Sequence, residues 1–353
     1  MNILVTGIAG FVGSNLALGI KGRIDNLQIF GLDNLSRKGS EQNIPILNKN
    51  DVKLVHGDIR SQSDIDSLPK CDWVIDCAAN PSVLAGMDKH STSRQLMEHN
   101  LLGTINLLEY CKKYKAGLIL LSTSRVYSAE KLARLPVENN GEKFLIKDNY
   151  KSSGVTHIGI NEEFATSSPV SLYGASKLAS ETLIQEYGKC FDFPIWINRC
   201  GVLAGAGQFG KADQGIFSYW VHSFREKKPL KYIGFDGTGH QIRDALHPKD
   251  LVPLLIKQIQ EPNRDAPKII NLGGGLENSM SLKELTSWCK DRFGENEVLH
   301  SREHRPMDAP WIIMDTTVAK ESWEWKPITS LEDILLEISA HAEKYPDWLK
   351  LCN

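Results

Sequence analysis

The sequence predicts an α/β fold: a doubly wound parallel sheet followed by a smaller mixed α/β lobe toward the C-terminus. Three observations carry this. Short apolar runs alternate with amphipathic stretches as far as Arg199. The runs lack a polar face, as strands covered by helices on both sides do. A glycine-rich turn joins the first run to the first amphipathic stretch.

In chain order, Ile3–Val5, Leu27–Leu32, Val52–Val55, Trp73–Cys77, Leu118–Leu121 and Ile195–Ile197 read as strands. Phe11–Ile20, Ser61–Leu68, Ser93–Tyr114 and Leu172–Gly188 carry helical periodicity. Past Arg199 the pattern changes. Gly201–Gly215 is a loop, rich in Gly and Gln. A helix at Ile216–Arg225 follows, then short strands around Tyr232, Ile242–Leu246 and Ile269–Leu272. Leu251–Gln260, Leu282–Phe293 and Leu331–Tyr345 are the remaining helices, and Gly234–Gly239 is a turn between strands. This divides the chain into a dinucleotide-binding domain over 1–200 and a substrate lobe over 201–353, with segments exchanged between them. Pro136–Pro169 is long, polar and aperiodic, and is expected to be a functional or mobile loop.

Composition excludes several classes. In 353 residues, 41 Lys and Arg balance 43 Asp and Glu, a net charge of −2, which disfavours a nucleic-acid partner. No apolar run approaches the roughly 18 residues of a membrane span, so no membrane partner is expected. The N-terminal run meets Gly7 at once and reads as a strand, not a signal peptide. Seven cysteines without a C-x-x-C pair fit a reduced, cytoplasmic protein. His300 and His304 are four apart but lack a third ligand, so no metal is expected.

Gly7-Ile8-Ala9-Gly10-Phe11-Val12-Gly13 sits between the first strand and its helix. Glycines there allow a tight turn and close approach of a pyrophosphate, and the helix N-terminus offers free N–H groups. Gly7, Gly10, Phe11 and Val12 are therefore candidate cofactor contacts. Asp33 ends the second strand about 20 residues later, where a carboxylate accepts hydrogen bonds from ribose hydroxyls. It repels a 2′-phosphate, so NAD is favoured over NADP. Asn34, Ser36 and Arg37 follow in the same loop. Asp58 and Ile59 are placed to frame adenine, and the small Ala78 and Ala79 let backbone pass close to the cofactor.

Tyr173 and Lys177 are spaced i, i+4 on a helix and share a face. A phenol is a poor base near neutral pH, and a neighbouring ammonium favours its ionised form. Lys177 also suits the nicotinamide ribose. Ser122-Thr123-Ser124 ends the fifth strand, the edge at which open α/β sheets bind ligands. A second Y-x-x-x-K, Tyr127 to Lys131, lacks a clear helical continuation and reads as structural.

Together these residues resemble the extended short-chain dehydrogenase/reductases of the nucleotide-sugar epimerase/dehydratase family. The glycine turn, Asp33, Asp58-Ile59, Asn100-x-x-Gly103-Thr104, Thr123 and Tyr173/Lys177 stand in the family's order. The resemblance implies a Rossmann domain, NAD as cofactor and a nucleotide-sugar substrate. It also implies a homodimer through Ser93–Tyr114 and Leu172–Gly188. It places the catalytic hydroxyl on Thr123, with Ser124 beside the substrate, and adds Asn100 to the cofactor contacts. Further motifs resemble the branch that epimerises C2 of CDP-deoxyhexoses: Asp33–Gly39, Val55–Arg60, Gln208–Gly210, Asp213–Gly215 and Gln241–Asp244. Arg199, Gln208, Asp213 and Gln214 then line the sugar or base. Arg243 and Arg305 suit the diphosphate, since guanidinium forks match phosphate oxygens.

Family dehydratases carry an acidic pair after the catalytic Thr; here the positions hold Ser124 and Arg125. Elimination then lacks its acid and base, which favours epimerisation. A 4-epimerase or 4,6-dehydratase of a UDP-, dTDP- or GDP-sugar stays open as an alternative, as does a non-catalytic NAD-binding regulator. Retention of Thr123, Tyr173 and Lys177 together argues against the regulator.

Overall fold

Strands with apolar residues on both faces need cover on both faces, and the chain supplies it. A computed structural model describes residues 1–87, 92–147, 150, 152–211 and 214–352. Its centre is a seven-stranded parallel sheet. We number its strands β1 (Asn2–Thr6), β2 (Gln28–Asp33), β3 (Val52–His56), β4 (Trp73–Asp76), β5 (Gly117–Thr123), β6 (Ile195–Cys200) and β7 (Ile269–Leu272). The order across the sheet is β7-β6-β5-β4-β1-β2-β3. The direction of winding reverses between β1 and β4, which opens a crevice at their carboxyl ends. Alternate residues serve opposite faces. Ile3, Val5, Ile75, Ile119 and Trp196 enter one apolar cluster, and Leu4, Val74, Leu118, Leu120, Ile195 and Ile197 enter the other.

Helix α1 (Phe11–Ile20) packs on the first face. On the second lie α2 (Gly103–Tyr114) and α3 (Ser171–Phe191). The smaller lobe has its own core, in which Phe217, Trp220 and Phe224 of one helix meet Leu285, Ile334 and Ile338.

The structure differs from the sequence reading in three places. Ile269–Leu272, grouped by pattern with the smaller lobe, is β7, pairing with β6 through Ile269↔Ile197 to Leu272↔Cys200. Ser93–Tyr114 is not one regular helix, because a π turn at Glu98–Leu102 separates Ser93–Met97 from α2. The described part of Pro136–Pro169 is packed rather than loose. It contains a hairpin pairing Val137–Asn139 with Phe144–Ile146, and it buries Val155, Ile160 and Phe164 against Trp311, Ile312 and Met314. Apolar residues at irregular spacing leave no periodic trace, so this packing is invisible to pattern.

No helix among the described residues is long and apolar enough to cross a membrane. All seven cysteines are free thiols, five of them buried.

Candidate active site

The cofactor end is built from backbone. Gly7 adopts φ +62, a left-handed conformation that favours glycine, and its N–H donates to Leu32 O at 2.9 Å. A Cβ on Gly13 would lie 2.2 Å from Gly7 O, so only glycine lets α1 start this close to the turn. At the crevice, Thr6 Oγ1 donates to Asp76 Oδ1 at 2.7 Å and accepts the N–H groups of Cys77 and Ala78 at 3.2 Å each. This ties the ends of β1 and β4 together and holds Ala78 beside Gly7.

Asp33 accepts Ala9 N–H at 2.9 Å and Leu35 N–H at 2.8 Å, each on a different oxygen. Burial raises its pKa above the ordinary carboxylate value, opposed by those same backbone donors. A carboxylate has about four acceptor positions, so capacity for ribose hydroxyls remains. Asn34 donates from Nδ2 to Asp58 at 2.9 Å, and Arg60 holds the same carboxylate at 2.7 Å. Those bonds, Arg60's first, hold Asp58 well below the usual carboxylate range. Ile59 is buried under Gly103, with Asn106 Nδ2 donating to its carbonyl at 2.8 Å.

Asn100 lies in the π turn, a feature that often marks functional sites. Its side chain accepts Asn80 N–H at 2.8 Å and donates to Asn80 O at 3.2 Å and Ser176 Oγ at 3.1 Å. It therefore braces the loop after β4 against α3, with both amide protons engaged in protein contacts.

Two bonds prepare the start of α3. Ser171 Oγ accepts Gly174 N–H at 3.1 Å, and Ser176 Oγ donates to Tyr173 O at 2.8 Å. A Cβ on Gly174 would meet Arg125 O at 2.2 Å, so glycine here brings α3 directly against the turn after β5. That contact sets Tyr173 in hydrogen-bond reach of Thr123. Burial pushes the Tyr173 phenol up to about 12, while Thr123 and the Arg125 charge act in the opposite direction. Lys177 is 3% exposed and makes no hydrogen bond among the described residues. Its charge is felt by the thiols of Cys77, partly buried, and Cys200, buried. A buried lysine without a hydrogen-bond partner among the described residues, one turn from Tyr173 and near the end of β4, fits a ribose hydroxyl. With the Gly7–Gly13 cradle and Asp33, it makes the residues present fit NAD.

The second Y-x-x-x-K is structural: Tyr127 is 1% exposed and donates to Asn271 Oδ1 at 2.7 Å.

The substrate residues divide. Arg243 donates from Nη2 to Asp308 at 2.6 Å and to Ala309 O at 2.9 Å. Arg305 makes no hydrogen bond or ion pair among the described residues, and its charge opposes those of Arg125 and Arg243. The geometry thus gathers Arg125, Arg243 and Arg305 near Asp308, with Asp244 also acting on Arg243. Ser124 is buried in the turn between Thr123 and Arg125. Gln208 donates to Leu203 O at 2.7 Å, and its Oε1 is buried without a partner among the described residues. Gln214 Oε1 accepts Arg37 at 3.1 Å, and Arg37 also donates to Phe209 O. Arg37 thereby links the cofactor loop to the Gln208–Gln214 segment instead of standing apart beside the ribose. Ser36 N–H is turned back onto Asn34 Oδ1 at 3.0 Å. Asp213 lies outside the described residues.

Arg199 corrects the sequence reading. It is 5% exposed, and it pairs with Glu181 of α3 at 2.7 Å and reaches Tyr127 Oη at 3.4 Å. Its neighbours across β5 and α3 draw it into the core, where Glu181 and Tyr127 occupy its guanidinium.

Sequence reasoning missed Arg125. Its position two residues after Thr123 was legible, but only as the absence of an acid. Its contact with the substrate lobe, through Nη1 to Met307 O at 3.2 Å, spans too much chain for a motif to reveal.

A dinucleotide cradle opposite a Thr–Tyr–Lys constellation defines the class: a Rossmann enzyme of the short-chain dehydrogenase/reductase type with NAD as cofactor. Residues 3–273 match the NAD dependent epimerase/dehydratase family, and the chain belongs to that family. It is 28% identical to CDP-paratose 2-epimerase of Salmonella typhi over 94% of this chain and 96% of that one. It is 25% identical to UDP-glucuronate 4-epimerase of Thermodesulfobacterium geofontis over 94% of this chain and 92% of that one. Among solved structures, UDP-glucuronic acid 4-epimerase of Bacillus cereus, in complex with UDP-glucuronic acid and NAD, superimposes with a TM-score of 0.79. It is 26% identical, covering 98% of this chain and 99% of that one.

Proposed function

We propose that the protein epimerises a nucleotide-diphosphate sugar, at C2 of a CDP-deoxyhexose of the paratose/tyvelose type. The observation that carries the reaction type is the Thr123–Tyr173 pair flanked by Ser124 and Arg125, with no carboxylate to drive elimination. What supports the substrate is the 28% identity to the Salmonella 2-epimerase across nearly both whole chains.

Bound NAD supplies a reversible hydride acceptor for the carbinol carbon. Tyr173 takes the hydroxyl proton as that carbon is oxidised, and returns it when the carbon is reduced from the opposite face. Thr123 orients the hydroxyl. Lys177 holds the cofactor ribose, with Gly7, Gly10, Phe11, Val12, Asp33, Asn34, Ser36, Asp58, Ile59, Ala78 and Ala79 forming the rest of the cofactor surface. Arg243 and Arg305 take the diphosphate, and Ser124, Gln208 and Gln214 border the sugar and base. Between half-reactions the keto-sugar turns over while its diphosphate stays anchored. We place the enzyme in the cytoplasm as a homodimer through Ser93–Tyr114 and Leu172–Gly188; a monomer in light scattering removes the dimer.

The experiment is incubation of the NAD-loaded protein with CDP-, UDP- and dTDP-sugars, followed by NMR of the sugar. Inversion at C2 of CDP-paratose or CDP-tyvelose supports the reading. Inversion at C4 of a UDP-sugar alone replaces it with the 4-epimerase reading, which the likeness to the Bacillus cereus enzyme favours.

A further inference from the structure

We propose that Trp348 is a positioning residue for the substrate site, fixing Gln208 and Phe209 between the substrate lobe and the cofactor turn. This rests on Gln208 bordering the substrate and is independent of which base or sugar is bound.

The stretch that carries Gln208 does little to hold itself in place. Gly205, Gly207, Gly210 and Gly215 punctuate it, and glycine has the most backbone freedom to lose. Its placement must come from neighbouring elements. The Gln208 carbonyl accepts from Ser218 Oγ at 3.0 Å and from the indole Nε1–H of Trp348 at 3.0 Å. Ser218 belongs to the adjoining helix Ile216–Arg225, whereas Trp348 stands 140 residues away in sequence. The next residue, Phe209, stacks on the same indole, with ring centroids 5.3 Å apart and planes inclined by 18°. One side chain thus holds two consecutive residues, the first by a hydrogen bond and the second by its ring face.

Phe209 carries that hold to the cofactor end. It forms an apolar cluster with Trp348, Cys352 and Phe11, the first residue of α1, and all four are buried. A Cβ on Gly39 would lie 3.0 Å from the Phe209 ring, so the loop after β2 reaches it as well. Arg37 of that loop donates to the Phe209 carbonyl and, at 3.1 Å, to Gln214 Oε1. Trp348 is itself fixed. His341 meets its ring edge-on at 4.6 Å, and its carbonyl accepts from Cys352 Sγ at 3.2 Å. Any large ring could fill the apolar cluster. A buried indole N–H needs an acceptor, and it is the only polar atom the side chain has. Here that atom is spent on the backbone of the substrate stretch, which separates positioning from packing.

The test follows the NAD-loaded full chain by amide hydrogen exchange and by calorimetric titration with CDP-glucose, UDP-glucose and dTDP-glucose. Trp348→Leu removes both the bond and the ring stacking; Trp348→Phe removes the bond alone. In Trp348→Leu, exchange across 204–211 is expected to speed up about 10-fold or more while β1 and β5 keep the parent's protection. The Kd of the best-bound nucleotide-sugar is expected to rise about 10-fold in that variant and about 3-fold in Trp348→Phe. Unchanged exchange across 204–211, or a rise shared equally by β1 and β5, overturns the proposal. So does parental nucleotide-sugar affinity in a variant whose exchange has risen there. Should Trp348→Leu not fold, Trp348→Phe decides: rises of about 3-fold in local exchange and in Kd support the proposal, and parental values overturn it. A parent that binds none of the three nucleotide-sugars, with exchange still loosened across 204–211 in the variants, defeats the nucleotide-sugar reading and leaves the hold of Trp348 on Gln208 and Phe209 standing.

Discussion

The two ends of the active site are built on opposite terms. At the cofactor end, the glycine turn, the end of β2 and the end of β4 satisfy one another: Asp33 accepts two backbone N–H groups, and Thr6 bridges Asp76 to Cys77 and Ala78. At the substrate end, polar atoms wait. Asp308 Oδ2 and Gln208 Oε1 are buried without partners among the described residues, and Arg305 pairs with nothing there. Buried polar groups are ordinarily paired. The difference teaches that the backbone of the cofactor cradle is satisfied internally, whereas the substrate lobe keeps buried polar atoms with unused hydrogen-bonding capacity.

Removing the Tyr173 hydroxyl strikes between the two ends and carries the largest expected effect. Tyr173→Phe should lower turnover by about 10³-fold or more, with NAD affinity close to the parent's. Product NMR and calorimetric titration with NAD read the two quantities. More than a tenth of parental turnover in that variant removes Tyr173 as the base.

A change at the preformed end should behave differently. Gly13→Ala puts a methyl 2.2 Å from Gly7 O, a contact backbone cannot relieve by rotation. We expect a loss of about 1–3 kcal/mol in stability, with weaker NAD binding. Gly22→Ala is the control. Unlike Gly13, that glycine has positive φ, +79, and a Cβ there meets nothing within 4 Å, so the substitution strains backbone without filling the cradle and NAD affinity should not change. Equal losses of NAD affinity in both variants would erase the distinction between a packed cradle and ordinary backbone strain.

The same contrast explains what was legible in the sequence. The cofactor end draws on short-range signals: Gly7 to Gly13 span one turn, and Asp33 closes the next strand. Strand-forming runs such as Leu118–Leu121 of β5 declare themselves because burial on both faces requires unbroken apolar residues. The substrate end draws on long-range contacts. Arg125, Arg243 and Arg305 come from three separate segments, and no spacing rule joins them. Arg199 shows the converse failure. An arginine near the end of a sheet strand looks like a ligand contact until α3 supplies Glu181. Edge strand β7 was misgrouped because a run of four residues, Ile269–Leu272, carries no mark of which sheet it enters.

At the waiting end, Arg243→Gln removes a cation while leaving the cofactor surface untouched. The KM for the nucleotide-sugar should rise about 10- to 100-fold, the range for a lost charged hydrogen bond. NAD affinity should stay put. A KM equal to the parent's would assign Arg243 to Asp308 alone and leave the diphosphate to Arg125 and Arg305. A parallel loss of NAD affinity would show that the two ends are coupled rather than independently built.

The smallest expected effect on turnover comes from Asp244, where the two lobes meet. Its Oδ2 accepts Gly275 N–H at 3.2 Å and Met314 N–H at 3.3 Å. Gly201 and Gly273 crowd the carboxyl so closely that a Cβ on Gly273 would lie 2.3 Å from Oδ2. Burial raises its pKa to about 6, against those backbone donors. In the unfolded chain an aspartate titrates near 3.9, so between about pH 4 and pH 6 the folded protein holds a proton that the unfolded chain has released. This contribution to stability is present in full below about pH 4 and is lost as pH rises through about 6. Asp244→Asn retains an acceptor oxygen for Gly275 and Met314 and cannot ionise. Its Tm should therefore fall less than the parent's as pH is raised through that window, with turnover little changed. Thermal unfolding at closely spaced pH values measures both slopes. Parallel slopes would mean that Asp244 is already ionised in the folded protein, drawn there by Arg243, and the cation cluster would then extend to the junction of the lobes.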